Sequence, residues 1–586
     1  MDKFVKNINL NLYSMLRHGS VAVIVMFTTG IFFGAKNMMI AFPIALTSTV
    51  MGRQNFGVKT FSKAFRIILV DIAIVLVAHI SSLNIYCGII VNFIAIFFIM
   101  YVIVSPYDLT FYKPFIMLYV FTQYAKVPNS ELYLRIISVI FGLMVVVLAS
   151  EIKRANEKSM LGSSVLKAFM YIDEQLANIS QCKYDKEIEN SCSVLMSDLA
   201  YRIYITRHKG YLTTNLGKIQ FKLFISIEYL NLVLLKKQIK SEEEIDALRE
   251  IIKCFINYSQ KQCSYYELKD LVKENIEKLQ EKDIKLNILN ILEGIDELNN
   301  IGSREINKIY AQWERSDIDK PKVVFKEYFR KDSIRFKFAL RMAIALTFAL
   351  FAGELLGYYK VIWAIITIMS IMQPYYEDTV KKAKERVIGN VLAIVITGIV
   401  INLIDNQIIT TIILVISLYL LYGFKEYYKI SLFSGMASIC IASMTQDINV
   451  LIVYRVIYVV IGVATVYIVN KCVFPYHLKD GIEELVKKII RINCRLINNI
   501  EKYQMESKKE HEIPDIIIHS TLLTQKLYLR NLQYNDEGIY EFININREFI
   551  INVGYRSLID KEEGNRINIE ESKQLYKIFL NKVSCL

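Results

Sequence analysis

"RIISVIFG" occupies Arg135–Gly142, and "RVIYVVIG" occupies Arg455–Gly462. Both read R-x-I-x-V-x-x-G, and their arginines lie 320 positions apart (455 − 135). Each opens an apolar run of helical length. The surroundings repeat as well. "TFSKAF" begins at Thr60 and "TVKKAK" at Thr379, an offset of 319 (379 − 60), and Gly142 and Gly462 keep the offset of 320. Arg17 precedes the first apolar run of one cluster and Arg341 the first run of the other. The arginine-led segment is written twice because the unit that contains it is written twice.

Working outward, the apolar segments form two clusters of six, near 18–34, 38–51, 66–80, 84–105, 112–125 and 132–150, then near 338–354, 361–374, 386–403, 407–422, 428–444 and 451–471. Several fall short of the roughly 20 residues that cross a bilayer upright, so broken or partly buried helices are expected among them. A chain of 586 residues that is 54% hydrophobic, with mean hydropathy +0.32, carries more apolar surface than a soluble fold needs. The net charge of +13 does not imply nucleic acid, because lysines and arginines beside membrane spans raise it equally well. The nine cysteines contain no C-x-x-C, and the six histidines show no metal-ligand spacing; reduced thiols and no metal or cofactor are expected. The apolar stretch after "MDKFVKNINLNLYSMLRHGS" has no small-residue cleavage site and reads as a retained first span.

Between the clusters, no proline occurs from Pro128 to Pro321, and the pattern turns amphipathic. In "SEEEIDALREIIKCF", Ser241 and Glu244 form a capping-box signature, while Ile245, Leu248, Ile251, Ile252 and Phe255 fall at helical spacing. The expected fold is an all-α polytopic membrane protein. Its parts are a first repeat (1–150), a helical domain (151–335), a second repeat (336–475) and a C-terminal helical domain (476–586). The segments "GRQNFGVKTFSKAFR", "EIKRANEK", "FKEYFRKDSIRFK", "DTVKKAKER" and "GFKEYYK" are basic, whereas "SSLN", "IDNQ" and "TQDIN" have no lysine or arginine. The positive-inside rule then places both termini and both helical domains in the cytoplasm. Six spans per half, an even number, make the repeats parallel, related by an axis along the membrane normal.

In this topology Arg135 and Arg455 sit near the outer ends of equivalent spans, where positive charge is sparse. Two readings stand: the side chains snorkel to the outer interface, or they face an axial path and attract anions. Asp71, five residues past Arg66 in the third span, reads either as a proton-linked carboxylate or as an internally paired one; its counterpart is Asn390 or Val391. Pro43 and Pro374 punctuate the second and eighth spans, breaking a helix or marking a bend. His79 and Glu354 read as interfacial. No Walker A, G-x-S-x-G or HExxH pattern argues for an enzyme.

The stretch Trp363–Val400, "WAIITIMSIMQPYYEDTVKKAKERVIGNVLAIVITGIV", with the ending at Pro475, resembles the fusaric acid resistance or aromatic acid exporter family. The family pattern, P-x4-T, basic residues and R-x-x-G-T-x-x-G, falls on Pro374, Thr379, Lys381, Lys382, Arg386 and Gly389. It departs at Asn390, where Thr is usual, and at Ala393, where Gly is usual. The resemblance implies a multi-pass inner-membrane exporter or permease for organic anions, of the aromatic carboxylic acid class and driven by the proton gradient. A homo-oligomer or a periplasmic adaptor accompanies that reading. Plant aluminium-activated malate transporters look like relatives with one such half per chain, paired around a basic anion pathway. The alternatives are a membrane-anchored scaffold working through its helical domains, and a passive anion channel.

Overall fold

The computed structural model describes residues 10–53, 60–103, 111–156, 162–181, 183–206, 215–235, 241–300, 333–357, 360–404, 406–443, 447–505, 512–562 and 569–584. Cys182, the basic segment 54–59 and the connection 301–332 lie outside them. In chain order, the first cluster folds as α1 (Leu12–Phe33), α2 (Ala35–Arg53), α3 (Thr60–Ser81), α4 (Ile85–Ile103), α5 (Lys113–Tyr124) and α6 (Leu132–Asn156). The next segment holds α7 (Gly162–Ser180), α8 (Lys186–Thr206), α9 (Asn215–Leu235), α10 (Glu242–Ser259), α11 (Tyr265–Ile276) and α12 (Lys282–Asn300). The second cluster folds as α13 (Ile334–Leu355), α14 (Ile362–Ile371), α15 (Tyr376–Leu403), α16 (Gln407–Gly423), α17 (Tyr427–Ser443) and α18 (Ile448–Cys472). The tail supplies α19 (Leu478–Met505), α20 (Glu512–Tyr534), α21 (Glu537–Glu562) and α22 (Ile569–Ser584).

All twelve apolar segments are therefore helical. Among the described residues, seven helices are long and apolar enough to cross a membrane: four in the first cluster and three in the second. Five helices fall outside that set. Helix α2 carries Pro43 in its interior, α5, with Pro114 in its first turn, has 12 residues, and α16 and α17 have 17 each. Helix α14 has 10 residues, about 15 Å of rise and half a bilayer. Nearly all of α14 is buried, which is where an interrupted backbone is tolerated at membrane depth.

The described parts of 1–156 and 319–481 form one compact unit with one apolar core drawn from both clusters. Helix α4 packs along α13, and α16 packs along α1, so the fourth helix of each cluster lies on the first helix of the other. The sixth helix of each cluster packs on the second of its own, α6 on α2 and α18 on α14. The glycines of the R-x-I-x-V-x-x-G segments mark these contacts. A Cβ on Gly142 would stand 3.0 Å from Ile44, and one on Gly462 would stand 2.8 Å from Thr367 and 2.9 Å from the Ala364 carbonyl. Large apolar side chains on α3, α4, α15 and α18, such as Leu69, Ile90, Val395 and Val460, point outward, as a lipid-facing surface requires.

The described parts of 157–318 and 482–586 form the second unit. Its segments interleave: α20 packs on α8 and α21 on α9. The two polar stretches of sequence thus build one helical body. Ile245, Leu248, Ile251, Ile252 and Phe255 are buried, as their spacing predicts. The capping box at Ser241 is only half formed. Its hydroxyl accepts from the Glu244 amide at 3.1 Å, but the Glu244 carboxylate is taken by the Gln280 amide. The reciprocal box stands at Ser264 and Glu267 instead.

Candidate functional site

Arg455 is 1% exposed, between α14, α15, α17 and α18. Its Nε donates to Asn390 Oδ1 at 2.9 Å, and its guanidinium carbon lies 5.1 Å from the centre of the Trp363 ring. Asn390 is held in turn, its amide donating to the Arg386 carbonyl at 2.8 Å and to Ser431 Oγ at 3.1 Å. Close approach of α15 and α17 makes this possible. A Cβ on Gly389 would stand 2.5 Å from the Tyr428 carbonyl, and one on Gly435 would stand 2.8 Å from Ala393. Arg386, one turn before Asn390 and also buried, donates from Nη1 to Ser434 Oγ at 3.3 Å. Two cations therefore share a neighbourhood in which hydroxyls, amides and an indole face supply the contacts.

Arg135 has a similar setting in the first half. It is fully buried, donates from Nε to Asn37 Oδ1 at 3.0 Å, and donates from Nη1 to the Thr122 carbonyl at 3.1 Å. Neither Arg135 nor Arg455 reaches the surface, so neither snorkels. The partners are not equivalent by position, however. Asn37 plus the offset of 320 gives Gly357, and Asn390 minus it gives Val70, beside Asp71. Asp71 is 1% exposed, and its Oδ1 has no hydrogen-bond partner among the described residues.

Arg341 shows what a satisfied arginine looks like in the same unit. Its three nitrogens donate to the Lys337 carbonyl at 3.4 Å, to Asn470 Oδ1 at 2.7 Å and to the Pro374 carbonyl at 2.5 Å. By contrast, Arg135 Nη2, Arg386 Nε and Arg455 Nη1 are buried with no hydrogen-bond partner among the described residues. None of these three arginines forms an ion pair among the described residues. An orphaned buried donor costs about 1–3 kcal/mol, and more when charged. Donors of this kind are chemically suited to an anion, which brings the missing acceptor and the missing charge together.

Residues 347–469 match the model of the family described as "Fusaric acid resistance protein-like". Most of the second membrane half is thus similar to fusaric acid resistance protein-like sequences. The match contains the whole Arg386–Asn390–Arg455 constellation. The chain is also 24% identical over 180 residues to the "Inner membrane protein YccS" of Escherichia coli strain K12. That alignment covers 30% of this chain and spans a quarter of the relative's length. No solved structure matches the chain.

Within the matched range, the residues from Pro374 to Asn390 divide into two jobs. Pro374 lies in the link between α14 and α15, and its carbonyl is the one that Arg341 holds. Thr379 Oγ1 accepts from the Gln373 amide at 3.0 Å and donates to the Tyr375 carbonyl at 3.0 Å, closing the first turn of α15. Lys381 is exposed, and Lys382 lies 5.3 Å above the Tyr427 ring. These residues shape the helix start, whereas Arg386, Gly389 and Asn390, one to three turns on, build the buried constellation. Asn37, Trp363, Ser434 and Gly435 were not singled out by the sequence. A polar residue in an apolar run was the available signal for Asn37 alone. His79 bonds Asn129 at 2.7 Å, and Glu354 pairs with Lys126.

Proposed function

We propose that the chain is an inner-membrane permease for organic anions, working as an exporter, with buried guanidinium groups lining its path. The observation that carries this reading is the set of three orphaned, unpaired N–H donors on Arg135, Arg386 and Arg455. A scaffold gains nothing from desolvating cations that it leaves unpartnered, since an apolar replacement of similar shape is usually no less stable. The two membrane halves act as parallel repeats about an axis along the membrane normal, a reading supported by the reciprocal α4–α13 and α1–α16 packing. Both termini and the helical unit face the cytoplasm, as the distribution of basic loops indicates. Aromatic carboxylates are the favoured substrates: the carboxylate answers the guanidinium, and the Trp363 ring offers a face to the aromatic body. Asp71, buried with an unpartnered oxygen, is the group through which protons couple to transport. Several copies of the chain, or a periplasmic adaptor, complete the export route.

The test is flux of a panel of aromatic carboxylates through reconstituted vesicles. Arg135→Gln or Arg455→Gln alone should weaken flux, and the double change should abolish it while membrane insertion survives. A double variant that transports as well as the parent would leave the arginines purely structural and favour the scaffold.

A further inference from the structure

The helical unit contains a cavity of about 510 Å³ bounded by residues of α8, α9, α20 and α21. Its size suits a small organic molecule rather than a few waters. One wall is an ion triad. Arg547 donates from Nη1 to Glu189 Oε1 at 2.7 Å and from Nε to Glu228 Oε2 at 3.0 Å. Both carboxylates are buried, Glu189 at 7% and Glu228 at 4% exposure. The residues come from three distant parts of the chain, so the triad exists only in the folded unit.

The triad is formally short of one positive charge: two carboxylates face one guanidinium. The other charged residue of the lining, Lys186, is exposed at the start of α8 and forms no ion pair among the described residues. Burial raises the pKa of the Glu228 carboxyl, and the Arg547 guanidinium opposes that rise. The remaining walls pair aromatic faces (Phe224, Tyr528, Tyr540) with neutral polar groups such as Gln525 and Thr521. Aromatic faces attract cations through the ring quadrupole. The lining residues Asn546 and Thr524 are tied together: Asn493, behind them, donates to Asn546 at 2.6 Å, and Asn546 donates to Thr524 at 2.7 Å.

We infer that this cavity is a binding site for a small organic cation, a protonated primary amine on an apolar or aromatic body, whose ammonium completes the Glu189–Arg547–Glu228 triad. The inference stands apart from the anion path, since no residue is shared between the two sites. It makes the helical unit a ligand-binding module in its own right.

Three probes of equal body and different charge test it on the full chain in detergent: phenethylamine, 2-phenylethanol and phenylacetate, with binding measured by calorimetry. The amine should bind at least tenfold tighter than the alcohol, and the carboxylate should bind weakest. Glu228→Gln, which keeps the shape, should remove the preference for the amine over the alcohol. Val194→Trp fills the cavity from its half-exposed rim without touching the triad, and should abolish binding of all three. If Glu228→Gln does not fold, the Val194→Trp result and the order of the three probes decide alone. Equal affinities, carboxylate preference, amine binding unaffected by Val194→Trp, or no measurable binding would each overturn the inference.

Discussion

The two membrane halves hold the same arginine in the same helix and support it differently. In the first half, Arg135 is held by Asn37 on the second helix and by a carbonyl at the end of α5. In the second half, Arg455 is held by Asn390 on the third helix, lies beside an indole and has Arg386 as a second cation nearby. The third helix of the first half carries a carboxylate, Asp71, where the second half carries the amide Asn390 or its neighbour. The two halves thus match in their packing glycines and differ in the polar residues around the arginine. The second half holds two unpartnered cationic donors against one in the first, so the second is expected to dominate anion binding.

After the Arg135–Arg455 double change, the largest effect follows from that imbalance. Replacing Arg386 and Arg455 together by glutamine removes two buried charges and should cut carboxylate flux roughly 100-fold, the scale of losing a buried charged hydrogen bond worth about 3 kcal/mol. Arg135→Gln should cost less, on the order of 10-fold. Initial rates in vesicles at matched protein content check the order. Equal losses in the two variants would mean that the halves contribute symmetrically and that the asymmetry of their partners is incidental.

A smaller effect comes from exchanging the polar residues of the third helices. Asn390→Asp places a carboxylate 2.9 Å from Arg455 Nε, where it would capture the guanidinium as an internal ion pair. Anion flux should then fall on the order of 10-fold, because the substrate must displace a built-in competitor. Asp71→Asn should leave the maximal rate nearly unchanged and flatten its dependence on an imposed pH gradient. Unaltered pH-gradient dependence in Asp71→Asn returns that residue to a structural role. Undiminished flux in Asn390→Asp removes Arg455 from the path.

Much of the architecture was legible in the sequence, for a reason that also limits it. Hydropathy marks which segments are apolar, and the offsets of 319 and 320 mark a repeated pattern, so all twelve apolar helices and the matching settings of Gly142 and Gly462 could be read. Periodicity tells which face of a helix is apolar but not which neighbour receives it. Arg135 and Arg455 could be found, whereas Asn37 and Trp363 could not, because their roles depend on contacts between helices far apart in the chain. The same holds for the Glu189–Arg547–Glu228 triad, whose members are spread over more than half of the sequence. Pro374 reads from the sequence as breaking a helix or marking a bend. What the sequence could not convey is that its freed carbonyl is claimed by Arg341, from another helix.

The mildest test leaves the buried arginines untouched and asks whether the halves are parallel. Two exposed cysteines of the membrane unit lie at opposite ends of their helices: Cys87 in the first turn of α4, after the uncharged "SSLN" segment, and Cys472 at the end of α18, before the tail. Six crossings per half with a cytoplasmic N-terminus put Cys87 on the outer side and Cys472 on the inner side. Cys440, the third cysteine of the unit, is buried and should stay silent. A membrane-impermeant maleimide applied to intact cells should therefore modify the protein once, and Cys87→Ser should abolish that label. Permeabilised cells should add Cys472, along with Cys494 and Cys263 of the helical unit, which are exposed and half-buried. If the second half instead entered from outside, as an inverted repeat would, the end of α18 would face out and Cys472 would label in intact Cys87→Ser cells. That result would relate the halves by an axis in the membrane plane, and Arg135 and Arg455 would then lie toward opposite faces of the bilayer instead of flanking one outer mouth.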